Sequence, residues 1–282
     1  MTNIKPIGVF DSGFGGLTVL KEIQNLLPQY DYLYLGDNAR APYGNRGFDT
    51  VYQYTLEAVK WLFAQGCDLV IIACNTASAK ALRNIQQLDL PKIAPDKRVL
   101  GVIRPTTEII GKLSKTGHLG IFATKGTVIS ESYLIEIAKL YPQMNVSQEA
   151  CPLFVPLIEN NEHINPGADY FIKKYIDNIL QKDPKIDTLL LACTHYPVLA
   201  DKIKSFLPHH INVVQQGPIV AESLKNYLSR HQWLDQKLTR NGSLAIYTTD
   251  DAVDFDEKSH LFIDTEVKSK HLDFHVLSNQ LK

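Results

Sequence analysis

Two apolar runs, each opened by an aspartate and closed by a cysteine, dominate the hydrophobic pattern of the chain. The first is Asp68-Leu-Val-Ile-Ile-Ala-Cys74-Asn75-Thr76, and the second, 119 positions later, is Asp187-Thr-Leu-Leu-Leu-Ala-Cys193-Thr194-His195. Runs of this kind suit parallel strands covered by helices on both faces. Helical spacing follows each one: Ala77, Ala81, Ile85 and Leu88 after the first, Leu199, Ile203 and Phe206 after the second. Pro197 falls near the start of the second helix, where its missing donor costs nothing. Each cysteine is therefore expected at the carboxyl end of a strand, just ahead of a helix N-terminus. Open α/β sheets hold their ligands at that edge.

The same alternation runs through the remaining sequence. Ile7–Phe10 reads as a strand, followed by the glycine-rich turn 11–16 and a helix carrying Leu17, Leu20, Ile23 and Leu27. Tyr32–Leu35 leads to the loop 36–44, and Tyr52, Leu56, Val59 and Phe63 mark one stripe of a long amphipathic helix. A polar connection, 86–97, precedes a strand Val99–Ile103 that Pro105 ends. His118–Ala123 opens a second cycle, in which Gly120-Ile-Phe-Ala-Thr124-Lys-Gly126-Thr127 echoes Gly8-Val-Phe-Asp11-Ser12-Gly13 at an offset of 112. Residues 150–159 read as an irregular segment running into a short helix, and Gly167–Leu180 as an amphipathic helix. A strand (Ile211–Val214), a helix (Val220–Leu228), a strand (Leu244–Tyr247) and a short charged end complete the pattern.

Two echoes in the same order imply duplicated halves. The expected fold is α/β: two similar domains with mostly parallel sheets flanked by helices, related by a pseudo-two-fold, with right-handed crossovers. The expected first domain is discontinuous, residues 1–98 and 210–282, and the second is inserted as residues 99–209. A cleft between them would hold both thiols.

Composition adds little beyond a class. Of 282 residues, 45% are hydrophobic and 21% charged, and 29 Lys and Arg nearly balance 30 Asp and Glu. Nothing in that balance points to nucleic acid or an anionic membrane as a partner. No run is long enough to cross a bilayer, and no signal peptide precedes the strand at Ile7, so a cytoplasmic location is expected. Four cysteines in such a chain make no disulfide framework, and reduced thiols are expected.

Several chemistries lack their marks. Gly13-Phe-Gly15-Gly16 does not have the dinucleotide spacing, and there is no Walker-type loop, Gly-x-Ser-x-Gly elbow or Cys-x-x-Cys pair. Cys193 with His195 is too sparse for zinc, and nothing calls for a cofactor. Buried packing is the ordinary use of a free cysteine, and it suffices for Cys67 and Cys151. Two thiols at equivalent places in a repeat suggest more: one as base and one as acid, exchanging the proton of a carbon from opposite faces. A free thiol titrates near ~8.5. A helix N-terminus contributes ~0.3–1 kcal/mol, up to ~2 when partly buried. At ~1.36 kcal/mol per pH unit, the dipole then makes between about a tenth and a half of the thiol available. Asn75, Thr76, Thr194 and loop amides are candidate donors to a substrate carboxylate, and none is a cation. Asp11 and Ser12 either cap the next helix or serve the first thiol, and His195 is placed to reach a thiol or a substrate proton.

In order along the chain, Ile7-Gly-Val-Phe-Asp-Ser-Gly-Phe-Gly-Gly-Leu17, Ala41-Pro-Tyr-Gly44, Ala73-Cys-Asn-Thr76, Cys151-Pro, Phe154-Val-Pro-Leu-Ile-Glu159 and Ala192-Cys-Thr-His-Tyr-Pro197 resemble the glutamate racemase family, part of the cofactor-independent aspartate/glutamate racemase superfamily. The resemblance covers most of the chain. It implies interconversion of L- and D-glutamate without a cofactor, supplying D-glutamate for peptidoglycan, in a cytoplasmic homodimer. It further implies that Cys74 and Cys193 are the acid/base thiols, Cys74 acting on the D-isomer and Cys193 on the L-isomer, assisted by Asp11 and His195. Ser12, Pro42, Tyr43, Gly44, Asn75, Thr76, Thr124, Thr127 and Thr194 match substrate-binding positions, and Glu159 a supporting acidic one. Gly47, where a serine is common, and Arg104 depart from the family pattern without removing a catalytic group. Two alternatives stay open from the residues: a racemase for aspartate, and a non-catalytic binding protein on the same scaffold.

Overall fold

The computed structural model describes residues 4–273. Its strands are β1 Ile7–Asp11, β2 Tyr32–Gly36, β3 Leu69–Ile72, β4 Arg98–Gly101, β5 His118–Ala123, β6 Asn145–Ala150, β7 Thr188–Ala192, β8 Asn212–Gln215, β9 Leu244–Thr248 and β10 Ser269–His271. They form a six-stranded sheet in the order β10-β9-β2-β1-β3-β4 and a four-stranded sheet in the order β6-β5-β7-β8. Every pairing is parallel. The strands that read as apolar runs, β1, β3 and β7, are buried throughout, because helices cover both faces.

The two sheets share the sub-order second, first, third, fourth strand, and the match extends to register. Gly8 of β1 pairs with Val70 of β3, and Gly120 of β5 pairs with Leu189 of β7. Those partners are separated by the same offsets, 112 and 119, as the two sequence echoes. At both positions the missing side chain admits a neighbour: a Cβ on Gly8 would lie 3.1 Å from Cys67 Sγ, and one on Gly120 3.0 Å from Leu189 Cδ1.

The domain boundaries read from the sequence shift. β4 pairs with β3 and belongs to the first sheet, and β8 pairs with β7 and belongs to the second. The crossing points therefore lie near Val102 and after Gln215, each about one strand later than the expected 98/99 and 209/210. Periodicity marks a strand but not the sheet it joins. The outermost residues of the expected first domain, 1–3 and 274–282, lie outside the described residues. Pro105 does not end a strand. It sits in the first turn of helix Ile103–Leu113, where no N–H is needed. The polar connection 86–97 is largely helical, through a π turn Ile85–Asp89 and helix Leu90–Ile93. β6 was not legible as a strand, being a half-exposed edge with the polar sequence Asn-Val-Ser-Gln-Glu-Ala. The charged end contains helix Ala252–Ser259 and β10, which extends the first sheet.

The second sheet buries an aromatic cluster centred on Phe154, with Phe122, Tyr175 and Tyr196 at ring distances of 6.0, 5.1 and 5.1 Å. Tyr196 donates to the Cys151 carbonyl at 2.9 Å, tying the loop after β7 to the loop after β6. Asp187, which opens the second apolar run, accepts from Ser114 Oγ (2.6 Å) and from the amides of Lys115 (2.6 Å) and Thr116 (2.8 Å). Burial opposes its ionisation, but these donors outweigh it and hold the carboxyl at about 2 against an ordinary 3.8. A folded-state value below the unfolded one stabilises fully above about pH 4, and the contribution disappears as pH falls through 2. Asp187→Asn is expected to lower the unfolding free energy at pH 7 by about 1–2 kcal/mol, allowing for partial solvent screening. Urea titrations should show that difference shrinking between pH 4 and pH 2, and a pH-independent difference would contradict the assignment.

Candidate active site

The carboxyl edges of the two sheets meet in one cleft, and both expected thiols line it. Cys74 follows β3 and caps helix Asn75–Lys80, its sulfur accepting from the Ala77 amide at 3.4 Å. Its thiol also lies 3.5 Å from Ser12 Oγ, to which it donates. Cys193 follows β7, but no helix starts beside it. A 3-10 turn, Tyr196–Leu199, intervenes before helix Ala200–Phe206, and the His195 amide hydrogen-bonds the sulfur instead. The expected dipole thus applies to the first thiol only.

Both sulfurs are nearly sealed, at 5% and 6% residue exposure. Burial pushes the Cys74 thiol up to about 12 from 9.0, and the nearby Asp11 carboxylate adds to the rise. The Cys193 thiol is also raised, first by burial and then by Cys74, Asp11 and Glu159. Desolvation therefore overrides the modest gain expected from a helix N-terminus.

Asp11 is fully buried behind the cleft and does not line it. Its Oδ2 accepts from the Gly13 amide at 3.0 Å, and its Oδ1 from Thr194 Oγ1 at 3.3 Å. Burial raises its carboxyl, while His195 and the amides of Gly13 and Gly16 pull it back. His195 Nε2 lies 2.8 Å from Glu159 Oε1, and its ring meets Phe262 edge-on at 5.1 Å. A Cβ at Gly15 would fall 2.3 Å from His195 Nδ1 and 2.4 Å from Thr194 Oγ1. Only glycine lets the turn after β1 seat against the loop after β7.

Of the expected binding residues, Ser12, Pro42, Gly44, Thr76, Thr124 and Thr194 line the cleft. The Thr76 and Thr124 hydroxyls, one from each half, are 2.9 Å apart. Thr127 is brought close but lies behind them, fully buried, its hydroxyl 3.1 Å from Thr124 Oγ1 and 3.4 Å from Thr76 Oγ1. Tyr43 and Asn75 line the cleft with their polar ends committed elsewhere. The Tyr43 hydroxyl donates to Asp37, which also binds Arg40 Nε at 2.8 Å. The Asn75 amide donates to Gln216 and accepts from Tyr133.

Lys125 was missed from the sequence. It lines the cleft as an exposed cation at the first position of helix Lys125–Ile129. The echo contained the signal, since Gly13, the residue 112 positions earlier, lines the cleft as well. Cys151, Pro152, Val155 and Pro156 add an apolar wall that no spacing announced.

Comparison with known proteins agrees with this architecture. A family profile described as Asp/Glu/Hydantoin racemase matches residues 7–224. Glutamate racemase of Persephonella marina is 39% identical over 268 residues, covering 95% of this chain and 96% of its own. The crystal structure of glutamate racemase isoform RacE1 from Bacillus anthracis superposes with a TM-score of 0.86 at 30% identity, covering 95% and 97% of the two chains. That of Francisella tularensis glutamate racemase in complex with D-glutamate gives 0.85 at 31% identity, covering 97% and 99%. With a profile spanning most of its length and relatives matched almost end to end, the chain belongs to the Asp/Glu/Hydantoin racemase family.

Proposed function

We propose that this protein is a glutamate racemase that interconverts L- and D-glutamate with Cys74 and Cys193 as the two acid/base groups. The observation that carries the proposal is that equivalent strand ends of two duplicated halves deliver one thiol each into a single cleft. Relatives and structural neighbours named glutamate racemase support glutamate over aspartate as substrate.

The chemistry needs one thiolate and one thiol. Raising Cys74 from 9.0 to about 12 disfavours its thiolate by ~4 kcal/mol, at about 1.36 kcal/mol per pH unit. A helix N-terminus contributes at most ~2 kcal/mol, so it does not close that gap. The substrate ammonium does: a unit charge about 4 Å from the sulfur is worth ~4 kcal/mol at an effective dielectric constant of about 20. The amino acid thus brings its base back to about the ordinary thiol value of 9.0, where a small fraction is thiolate at neutral pH, and without that cation burial keeps both sulfurs protonated. Once the thiolate takes the Cα proton, the opposite thiol returns one on the other face. The intervening carbanion is stabilised by the substrate carboxylate, held by fixed donors such as Ser12, Thr76 and Thr124 in a site closed to water. Asp11, from behind the cleft, and His195, at its wall, assist the two thiols, Asp11 held by Thr194 and His195 by Glu159. The apolar wall at Val155 and Pro156 suits the substrate methylenes. We further read the protein as a cytoplasmic homodimer serving peptidoglycan synthesis, on the family resemblance. Among the described residues, no helix is long and apolar enough to cross a membrane.

Cys74→Ser and Cys193→Ser are each expected to abolish racemisation, by about a thousandfold or more. In D2O, Cys74→Ser should exchange the Cα proton of L-glutamate only, and Cys193→Ser that of D-glutamate only. Proton NMR of the Cα signal reads both, and racemisation surviving either change would remove that thiol from the mechanism. Racemisation of aspartate in preference to glutamate, followed by circular dichroism, would overturn the substrate assignment.

Lys125, the cation at the cleft wall, attracts a dicarboxylate on approach. Lys125→Gln is expected to raise KM about three- to tenfold with kcat little changed, and to flatten the dependence of kcat/KM on salt. An unchanged salt dependence would show that the ammonium plays no part in capture.

A further inference from the structure

Behind the first thiol, three buried side chains close a ring of hydrogen bonds. Asn75 Nδ2 donates to Gln216 Oε1 at 2.7 Å, Gln216 Nε2 donates to the Tyr133 hydroxyl at 2.6 Å, and that hydroxyl donates to Asn75 Oδ1 at 2.6 Å. Gln216 Nε2 also donates to Thr106 Oγ1 at 2.9 Å, whose own proton goes to the Val102 carbonyl at 2.8 Å. Because Thr106 has committed its proton, it accepts from Gln216, and this sets the sense of the whole ring. All four side chains are buried, between 0% and 4% exposed.

The members come from separate segments. Asn75 is the residue after Cys74, at the edge of the first sheet. Tyr133 lies in helix Ser132–Leu140 and Thr106 in helix Ile103–Leu113, both packed in the second half. Gln216 opens helix Gln216–Arg230, where the chain leaves β8 and returns to pack on helix Leu17–Leu26. The ring therefore fastens the peptide that carries Cys74 to the half that carries Cys193. Tyr133, Thr106 and Gln216 stand behind the cleft wall and not in it. Burial holds the Tyr133 hydroxyl far above its ordinary 10.0, so it remains a neutral donor across the working pH range.

We propose that Gln216 and Tyr133 are positioning residues: through Asn75 they hold Cys74 at the place from which it opposes Cys193 across the substrate carbon. The inference rests on the two-thiol mechanism and adds to it a device outside the cleft. Both ends of the Asn75 amide must be held to fix its direction, so opening the ring at Tyr133 or at Gln216 lets Asn75 turn about its one remaining bond, and a second opening does little more.

Tyr133→Phe removes one oxygen and leaves Asn75 Oδ1 without its donor, and Gln216→Leu removes the amide that accepts from Asn75 and donates to Tyr133 and Thr106. Each is expected to lower kcat for inversion about tenfold to a hundredfold, with KM changed less than about threefold. The double variant should be no more than about twofold slower than the worse single one. The reading that separates positioning from general loss of structure is made in D2O. With Cys74 displaced and Cys193 intact, L-glutamate should take up deuterium several times faster than it inverts, whereas D-glutamate should show no such excess. A uniform loss of exchange and inversion, additive single effects, or variants as active as the unsubstituted protein would each overturn the proposal. Should Tyr133→Phe not fold, Thr106→Val, which takes away only the outer acceptor, carries the same exchange-to-inversion measurement at lower amplitude. Failure of the unsubstituted protein to racemise glutamate would instead overturn the function on which the inference stands.

Discussion

Desolvation of the two thiols is the constraint that shapes the rest of this molecule. A sulfur pressed into a dry cleft between two sheets resists ionisation, and the neighbouring Asp11 carboxyl makes the Cys74 thiolate harder still to form. A reactive anion is therefore disfavoured until a cation is brought beside it. A substrate carrying an ammonium group supplies that cation in the same act as it supplies the carbon to be deprotonated. The dry cleft then acts in the reaction's favour, because the fixed hydroxyls and amides around the carboxylate are worth more where water does not compete.

Such a site requires the two halves to meet without slack. They do so along a seam of close polar contacts beside an apolar core that runs continuously from the first half into the second. At one end Gly15 receives His195 and Thr194, with Thr194 donating to Asp11 and receiving Thr18 on its carbonyl at 2.9 Å. At the centre the Thr76 and Thr124 hydroxyls meet, with Thr127 beneath them. At the back the Asn75, Gln216 and Tyr133 side chains are joined in a closed ring of hydrogen bonds, with Thr106 taking the second Gln216 N–H. Buried polar groups of this kind favour a single arrangement, because any sliding of one half past the other leaves donors and acceptors unpaired. Phe154 and its aromatic neighbours perform the corresponding task inside the second half, where they set the height of the loop that presents Cys193.

Some of the site was legible because the chain repeats itself. Similar offsets in two echoes, 112 and 119, placed Cys74 and Cys193 at equivalent strand ends, and the same offsets reappear in the pairing of Gly8 with Val70 and Gly120 with Leu189. The resemblance carried Ser12, Thr76, Thr124, Thr194, Glu159 and His195 to the cleft as well. Other assignments needed direction as well as position. Tyr43 and Asn75 sit where the pattern puts them, yet Asp37 and Gln216 claim their polar ends. Lys125 lay inside a quoted motif and was passed over because the glycine in the matching place of the first half has no side chain to suggest a role.

What the sequence determined by itself is local and periodic: buried parallel strands from unbroken apolar runs, helices from their spacing, and a duplicated plan from the offset of the echoes. Tertiary structure decided which sheet β4 and β8 join, since hydrophobic period says how a segment is buried and not against what. It also decided the state of the sulfurs. The pattern implied a helix dipole acting on both, but only the packed cleft reveals that one helix is displaced by a 3-10 turn and that loss of water outweighs the dipole at the other. Protonation depends on everything within several ångströms in all directions, and several of those groups come from remote parts of the chain, Asp11 beside Cys74 and both Cys74 and Asp11 beside Cys193.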